Sequence, residues 1–353
     1  MNRNADGPEC TYCADLAKNK FQVNVFSPHG ERLQQHTLSR SKFDRFFSEP
    51  RRMGALVVME ACASSHFWSR RLRQRGYRTK LVPPQFVAKQ RLGNKNDGND
   101  ADGIFAVHRD PRVRPVPVKT LEQQDLCALH RVRELLVSQR TQYINQARGL
   151  LAERGYVAAR RDAGFTELLA RLAEQPTQEL TPSLAGLIGL IVQQIRQLDA
   201  QIKQIERQLQ AVLAASPVAQ RVDGVFAVGF ITATAFAGEY GACLERFADA
   251  RQFAASLGIT PSEHSSGEKR RLGAITKRGN AYLRRLLVQC AQVVLLNCER
   301  RDDALCLLAR RLLAQRKRRS AVVVAVANRL ARIIYAVIKH GEEYRPHPIP
   351  QPL

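Results

Sequence analysis

Gly54-Ala55-Leu56-Val57-Val58-Met59-Glu60 is the stretch whose reading decides the fold. A continuous apolar run of this length fits a strand buried on both faces, as in a parallel sheet. It ends in a carboxylate, and the carboxyl ends of such strands are where an α/β sheet gathers its ligands. Upstream, Cys10 to Asp15 reads as a first strand, with Asp15 at its end. Phe21 to Phe26 alternates with period two, and after the turn Ser27-Pro28-His29-Gly30 the segment Glu31 to Leu38 returns as a third strand. Ser41 to Phe47 reads as a short helix. Downstream, Ser65 to Gly76 is a basic amphipathic helix closed by glycine, and Thr79 to Val82 is a fifth strand stopped by Pro83-Pro84. Three strands, a helix, a strand, a helix and a strand make an α/β layer order.

The next stretch, Arg91 to Ala106, holds Asp97, Asp100 and Asp102 within six residues. A helix starting near Asp97 puts Asp97 and Asp100 on one face and turns Asp102 away. One reading is that the first two cap the helix and favour its dipole. The other is that they join Asp15 and Glu60 around a hard cation, Mg²⁺ or Mn²⁺, which would relieve the repulsion of crowded carboxylates. Acids ending two buried-looking strands favour the second.

The 353-residue chain carries 55 Lys+Arg against 32 Asp+Glu, a net charge of +23. That excess points to a polyanionic partner, with nucleic acid the default. No stretch reads as a spanning helix and no signal-peptide pattern stands at the start, so a cytoplasmic, nucleoid-associated protein without a membrane partner is expected. Cys10 and Cys13 form a CxxC with no second pair near it, which argues against structural zinc.

Far along the chain, Ile259 to Arg285 offers a second centre. Ser265 and Ser266 precede Gly267, and the cations Lys269, Arg270, Arg271, Lys277, Arg278, Arg284 and Arg285 follow with one acid, Glu268, among them. A hydroxyl on a glycine-flanked loop among cations suits a phosphodiester, because cations neutralise backbone phosphates and small residues let a backbone approach. Between the two centres lie long helices. One runs from Leu121 to Arg154. In the other, Ile188, Ile191, Ile195, Leu198, Ile202, Ile205, Leu209 and Val212 recur at alternating spacings of three and four, a coiled-coil seam. Its partner is either the first helix or the same helix in another subunit, and the strictness of the seam favours a homo-oligomer, dimer or tetramer. Val222 to Thr234, with Gly224 and Gly229, resembles a widened helix-hairpin-helix turn.

Asp15 followed by Lys18, Phe21 and Val23, then Glu60-Ala61, then Lys95-Asn96-Asp97 and Asp100-Ala101, resembles the RuvC-like DEDD domain of the insertion sequence 110 family of transposases, and most of all its insertion sequence 1111 subgroup. Ser265-Ser266-Gly267, Arg271-Leu272-Gly273, Lys277-Arg278-Gly279-Asn280 and Leu283-Arg284-Arg285 are similar to that family's transposase domain. Ser64-Ser65 stands where the family usually carries a glycine pair. The resemblance implies a metal-binding tetrad of Asp15, Glu60, Asp97 and Asp100, with Asp102 the competing choice for the last place. It implies Ser266 as nucleophile, with Ser265 the runner-up, and a phosphoserine intermediate. It further implies a bridge RNA that pairs with donor and target DNA. The expected architecture is an α/β RuvC-like (RNase H-like) domain over 1–119, a helical coiled-coil spacer over 120–216, a mainly α transposase domain over 217–345, and a tail over 346–353. The long helices give a route by which the acids of one subunit reach the serine of another. Two rival readings are a RuvC-like junction nuclease without serine chemistry and a non-catalytic nucleic-acid-binding protein.

Overall fold

The structure is a computed structural model that describes residues 6–90, 97–157, 164–241, 243–263 and 271–346; for 97–99 and 272 only the backbone is described. The chain divides into two compact units, Met1–Thr120 and Leu121–Leu353.

The first unit is built on five strands: β1 (Thr11–Leu16), β2 (Lys20–Phe26), β3 (Arg32–Ser39), β4 (Leu56–Glu60) and β5 (Arg78–Val82). Their spatial order is β3-β2-β1-β4-β5. The first three form an antiparallel meander, while β4 runs parallel to both β1 and β5. Helices α1 (Arg40–Phe46) and α2 (Ser65–Gln74) lie with one face, and α3 (Pro84–Gln90) and α4 (Asp97–Arg109) with the other. Side chains alternate across the strands, so two cores result. Tyr12, Ala14, Phe21, Val23, Val57 and Met59 meet Phe43, Phe47, Trp68 and Leu72 on the α1/α2 side. Cys13, Phe26, Val58 and Val82 meet Val87, Ile104 and Val107 on the α3/α4 side.

The sequence predicts these strands and the α1, α2 and α4 helices, with α3 the exception. Pro83-Pro84 reads as a stop, but Pro84 is the first residue of α3, where a missing N–H costs nothing and the fixed φ suits a helix. Cys10 and Cys13 pack into opposite faces of the sheet, each in its own core, so the CxxC pair does not converge. All eight cysteines are free thiols. An ion pair closes the start of the chain: Arg52 donates through Nε to both oxygens of Asp6 (2.7 and 2.8 Å), and each residue is almost fully buried.

The second unit holds α5 (Leu121–Ala152), α6 (Phe165–Glu174), α7 (Pro182–Ala215), α8 (Pro217–Asp223), α9 (Phe230–Tyr240), α10 (Ala250–Ser256), a hairpin of β6 (Pro261–Glu263) and β7 (Leu272–Ile275), α11 (Ala281–Asn297), α12 (Ala304–Ala314) and α13 (Arg319–His340). The helices expected as a spacer are α5 and α7. The long helices α5 and α7 belong to the same compact unit as the C-terminal helices. They run against each other, with Arg133 paired to Glu206 and Arg140 to Asp199. The seam of α7 is covered inside the chain: Ile188, Ile191 and Ile195 pack with Ala147 and Leu151 of α5 and with Phe165, Leu169 and Leu172 of α6. A strict heptad pattern fixes a partner helix but not whose it is, and here one chain supplies both. The seam therefore does not itself call for a second subunit.

By length and composition α13 would suffice to cross a membrane. Its stripe of Val322, Val326, Leu330, Ile334 and Val337 instead lines the main core of this unit, together with Leu283, Leu287 and Val294 of α11. The stretch from Gly224 to Gly229 does join two helices, α8 and α9, but the left-handed residue is Ala227 (φ 66°) rather than either glycine.

Candidate functional site

Asp15 is the penultimate residue of β1 and Glu60 the last of β4, and the two strands are parallel neighbours. The β1/β4 register pairs Ala14 with Met59, so the next step sets Asp15 beside Glu60. Asp15 has the parity of Cys13, and Glu60 that of Val58, so both acids point to the α4 side of the sheet. Each is half-buried. From above, Asp100, Ile104 and Val107 form one stripe of α4 at spacings of four and three, and that stripe faces the sheet. Asp100 is 8% exposed. Asp97 is the first residue of α4, one turn before Asp100, and its side chain lies outside the described residues. Three of the four expected acids thus share one face at one end of the sheet.

Asp102 is placed differently. Its Oδ1 accepts from Asn24 Nδ2 of β2, and its Oδ2 from Arg32 Nη1 of β3, both at 2.8 Å. Both oxygens are engaged in tying α4 to the meander. Ser65, at the position of the expected glycine pair, also has a defined role. Its buried hydroxyl donates to Cys62 O (2.8 Å) and accepts from Cys62 N (3.1 Å), closing the turn that follows Glu60.

The donor set is all carboxylate, which fits a hard divalent cation of the Mg²⁺ or Mn²⁺ type. Among the described residues no three acidic, His or Cys side chains close to within metal-binding distance of one another.

Ser265 and Ser266, with Lys269 and Arg270, lie outside the described residues, in the segment joining β6 to β7. What is described is the base of that hairpin. Pro261 pairs with Ile275 and Glu263 with Leu272. Thr276 N donates to Thr260 O (2.9 Å) and Lys277 N to Gly258 O (3.1 Å). Ser262 Oγ donates to Ala274 O (3.1 Å), and a Cβ at Gly273 would come within 2.6 Å of that same hydroxyl. Gly258 (φ +70°) and Gly279 (φ +88°) are left-handed, and a Cβ on either would collide with the opposite backbone, at Arg278 and Ser256 respectively. Both glycines are demanded twice, by conformation and by close approach.

The cations expected to meet phosphate divide into groups. Arg271, Lys277 and Arg278 are exposed. Arg285 pairs with Glu134 of α5. Arg284 turns inward: its Nη1 donates to Leu257 O (3.0 Å) and to Arg278 O (3.3 Å).

Sequence reasoning missed a polar cluster under the same region. His130 of α5 is 3% exposed. Its Nε2 lies 3.1 Å from Thr234 Oγ1 and its Nδ1 3.0 Å from Tyr282 OH in the first turn of α11. Thr234 spends its own hydrogen on Phe230 O (2.7 Å), so Nε2–H donates to Thr234 and Nδ1 accepts from Tyr282. Burial, then the charge of Arg133, holds His130 down to about 4 against some opposition from Glu239, so the ring is neutral at ordinary pH. The cluster borders a cavity of about 150 Å³ lined also by Cys127, Glu134, Glu239 and Asn280. A lone histidine in an amphipathic helix gives no signal of this; only its partners on α9 and α11 do.

Carboxylates at one end of parallel strands, beneath an acid-bearing helix and in a chain of net charge +23, suit a protein that acts on polynucleotides. Comparison with known proteins makes the class specific. Residues 13–154 match the DEDD transposase domain of the IS110 type, and residues 219–306 match the transposase domain of the IS116/IS110/IS902 family. Over 94% of its length the chain is 39% identical to a "Probable family 20 transposase" of Pseudomonas aeruginosa, covering 97% of that protein. It is 37% identical to the transposase for insertion sequence element IS1328 of Yersinia enterocolitica, over 93% of this chain and 96% of the other. It is 34% identical to the transposase for insertion sequence element IS1111A of Coxiella burnetii, over 94% and 90%. The chain belongs to the IS116/IS110/IS902 family of transposases, and its reaction is DNA transposition.

Proposed function

We propose that this transposase cuts and rejoins DNA through a covalent phosphoserine on Ser266, assisted by an acidic centre of Asp15, Glu60, Asp97 and Asp100. The observation that carries the proposal is that Asp15, Glu60 and Asp100 share one face at one end of the sheet, while Asp102 is engaged elsewhere. A divalent cation held there would supply Lewis-acid stabilisation of charge on phosphate oxygens. Ser266 Oγ attacks phosphorus and loses its proton, a new O–P bond forms as the bond to the sugar oxygen breaks, and that oxygen takes up a proton and departs as a free hydroxyl. A hydroxyl of the second strand then attacks the phosphoserine, which reseals DNA and restores the serine. The phosphodiester energy is conserved in the intermediate, so no external energy source is needed. Arg271, Lys277 and Arg278, exposed beside the hairpin, and Lys269 and Arg270 between its strands, neutralise backbone phosphates. Arg285 does so only by giving up Glu134. Donor and target are chosen by a bridge RNA bound to the basic surface, and the protein acts as a homo-oligomer.

The test is denaturing electrophoresis of the full-length protein with labelled element-end DNA and Mg²⁺. A protein–DNA adduct is expected, lost in Ser266→Ala and kept in Ser265→Ala. An adduct that survives Ser266→Ala refutes the nucleophile. Normal cleavage with no adduct in any variant favours a metal-dependent nuclease.

A further inference from the structure

At the base of the serine-bearing hairpin a side chain of the adjoining helix reaches both legs. Arg284 sits in the first turn of α11, a helix anchored in the core by Leu283, Leu286, Leu287 and Cys290. The start of α11 is fixed by Asn280, whose Oδ1 accepts from Tyr282 N (3.0 Å) and Leu283 N (3.2 Å), and by the Tyr282–His130 contact. From this platform the half-buried Arg284 spans both legs of the hairpin: Leu257 lies on the incoming leg and Arg278 on the outgoing one. The legs are pressed together at the same level, where Gly258 and Gly279 leave no space between backbones and Lys277 N donates to Gly258 O. Lys277 and Arg278 face outward there. Both bonds leave Nη1, whose two hydrogens are held in the plane of the guanidinium and so aim at the two carbonyls in one set geometry, whereas an ammonium on a shorter stem rotates freely and fixes neither direction. Charge-assisted hydrogen bonds to carbonyls are also about twice as strong as neutral ones.

We infer that Arg284 is a positioning residue: it locks the two legs of the β6–β7 hairpin to α11 and so fixes where Ser266 is presented, rather than binding DNA phosphate. The inference rests on the reading of Ser266 as nucleophile, but the lock itself does not. Misplacement of a nucleophile by about 1 Å can cost on the order of a hundredfold in rate. A phosphate-binding arginine would instead contribute about 0.9 to the slope of log K against log salt. The two roles thus leave different marks.

The experiment compares full-length wild type, Arg284→Gln and Arg284→Lys, with Arg278→Gln as the exposed-cation control. Hydrogen exchange at the Thr276 and Lys277 amides reads the lock, salt-dependent binding of element-end DNA reads phosphate contact, and adduct yield reads serine presentation. In Arg284→Gln, exchange at the two amides is expected to rise about tenfold or more, adduct formation to fall about a hundredfold, and the salt slope to stay unchanged. Arg284→Lys keeps the charge but is expected to lose most of the adduct, and it replaces the glutamine variant should that one fail to fold. A slope lowered by about 0.9 with exchange unchanged would overturn the inference. So would wild-type adduct formation in both variants. Should the adduct survive Ser266→Ala, the nucleophile assignment fails alone. Exchange then judges the lock, and strand-transfer rate in the Arg284 variants judges the positioning.

Discussion

Protonating His130 should weaken the second unit, and the structure sets the size of the effect. The ring is buried between α5, α9 and α11, donating to Thr234 and accepting from Tyr282. Its folded pKa is held down to about 4, first by burial and then by Arg133, with Glu239 opposing. In the unfolded chain it returns to the ordinary 6.5 or so. Between those values the unfolded state binds the extra proton, so stability falls as pH drops through about 6.5 and the loss is complete below about 4. A gap of roughly 2.5 units at about 1.36 kcal/mol each gives ~3 kcal/mol in full, and about 2 kcal/mol by pH 5. His130→Gln removes this titration. At pH 7.5 the variant should be less stable by about 1–2 kcal/mol through its lost hydrogen bonds. Urea unfolding by far-UV circular dichroism at pH 7.5, 6.5, 5.5 and 5.0 gives both curves, with Trp68 fluorescence following the first unit separately. The stability difference should shrink by about 2 kcal/mol over that range. A constant difference would refute the neutral, buried histidine and the tautomer derived for it.

Other perturbations follow from single contacts. Gly279→Ala must place a Cβ against Ser256 O at φ +88°, so it should cost about 1–3 kcal/mol and cut adduct formation, read by urea midpoint and gel. Asp6→Ala leaves the buried guanidinium of Arg52 with only the more exposed Glu49 and the Phe46 carbonyl, and the Trp68 unfolding transition should lose about 3 kcal/mol, the low end for breaking a buried pair. Arg278→Gln should reduce the salt slope of DNA binding by about 0.9, with the hairpin amides still protected.

How much was legible in the sequence differs from one element to the next. The run Gly54 to Glu60 announced β4 because a strand buried on both faces needs no polar alternation. The seam of α7 was equally plain, but heptad spacing cannot say whether the partner helix lies in the same chain. The β6–β7 hairpin was hidden: its strands are three and four residues long, one opens on proline, and Gly273 interrupts the other. Helix α3 was hidden by a proline that starts a helix as readily as it stops a strand. At the site, spacing alone put Asp97 and Asp100 on one face. It took the contacts of Asn24 and Arg32 to show what Asp102 does. In the same way, a basic run gives total charge but not which guanidinium turns inward, and Arg284 is found only through its two carbonyls.

The acidic centre is the central claim, and the pair Asp100 and Asp102 tests it most directly, since two aspartates of one helix are given opposite roles. Strand cleavage of element-end DNA should be measured across a Mg²⁺ titration for Asp100→Asn and Asp102→Asn, alongside thermal melting. Asp100→Asn should keep its melting temperature and lose cleavage by about 10²–10³-fold or more. Asp102→Asn should cleave within a few-fold of wild type and lose about 1 kcal/mol of stability, the scale of an exposed ion pair. Cleavage abolished by Asp102→Asn and retained by Asp100→Asn would contradict the account.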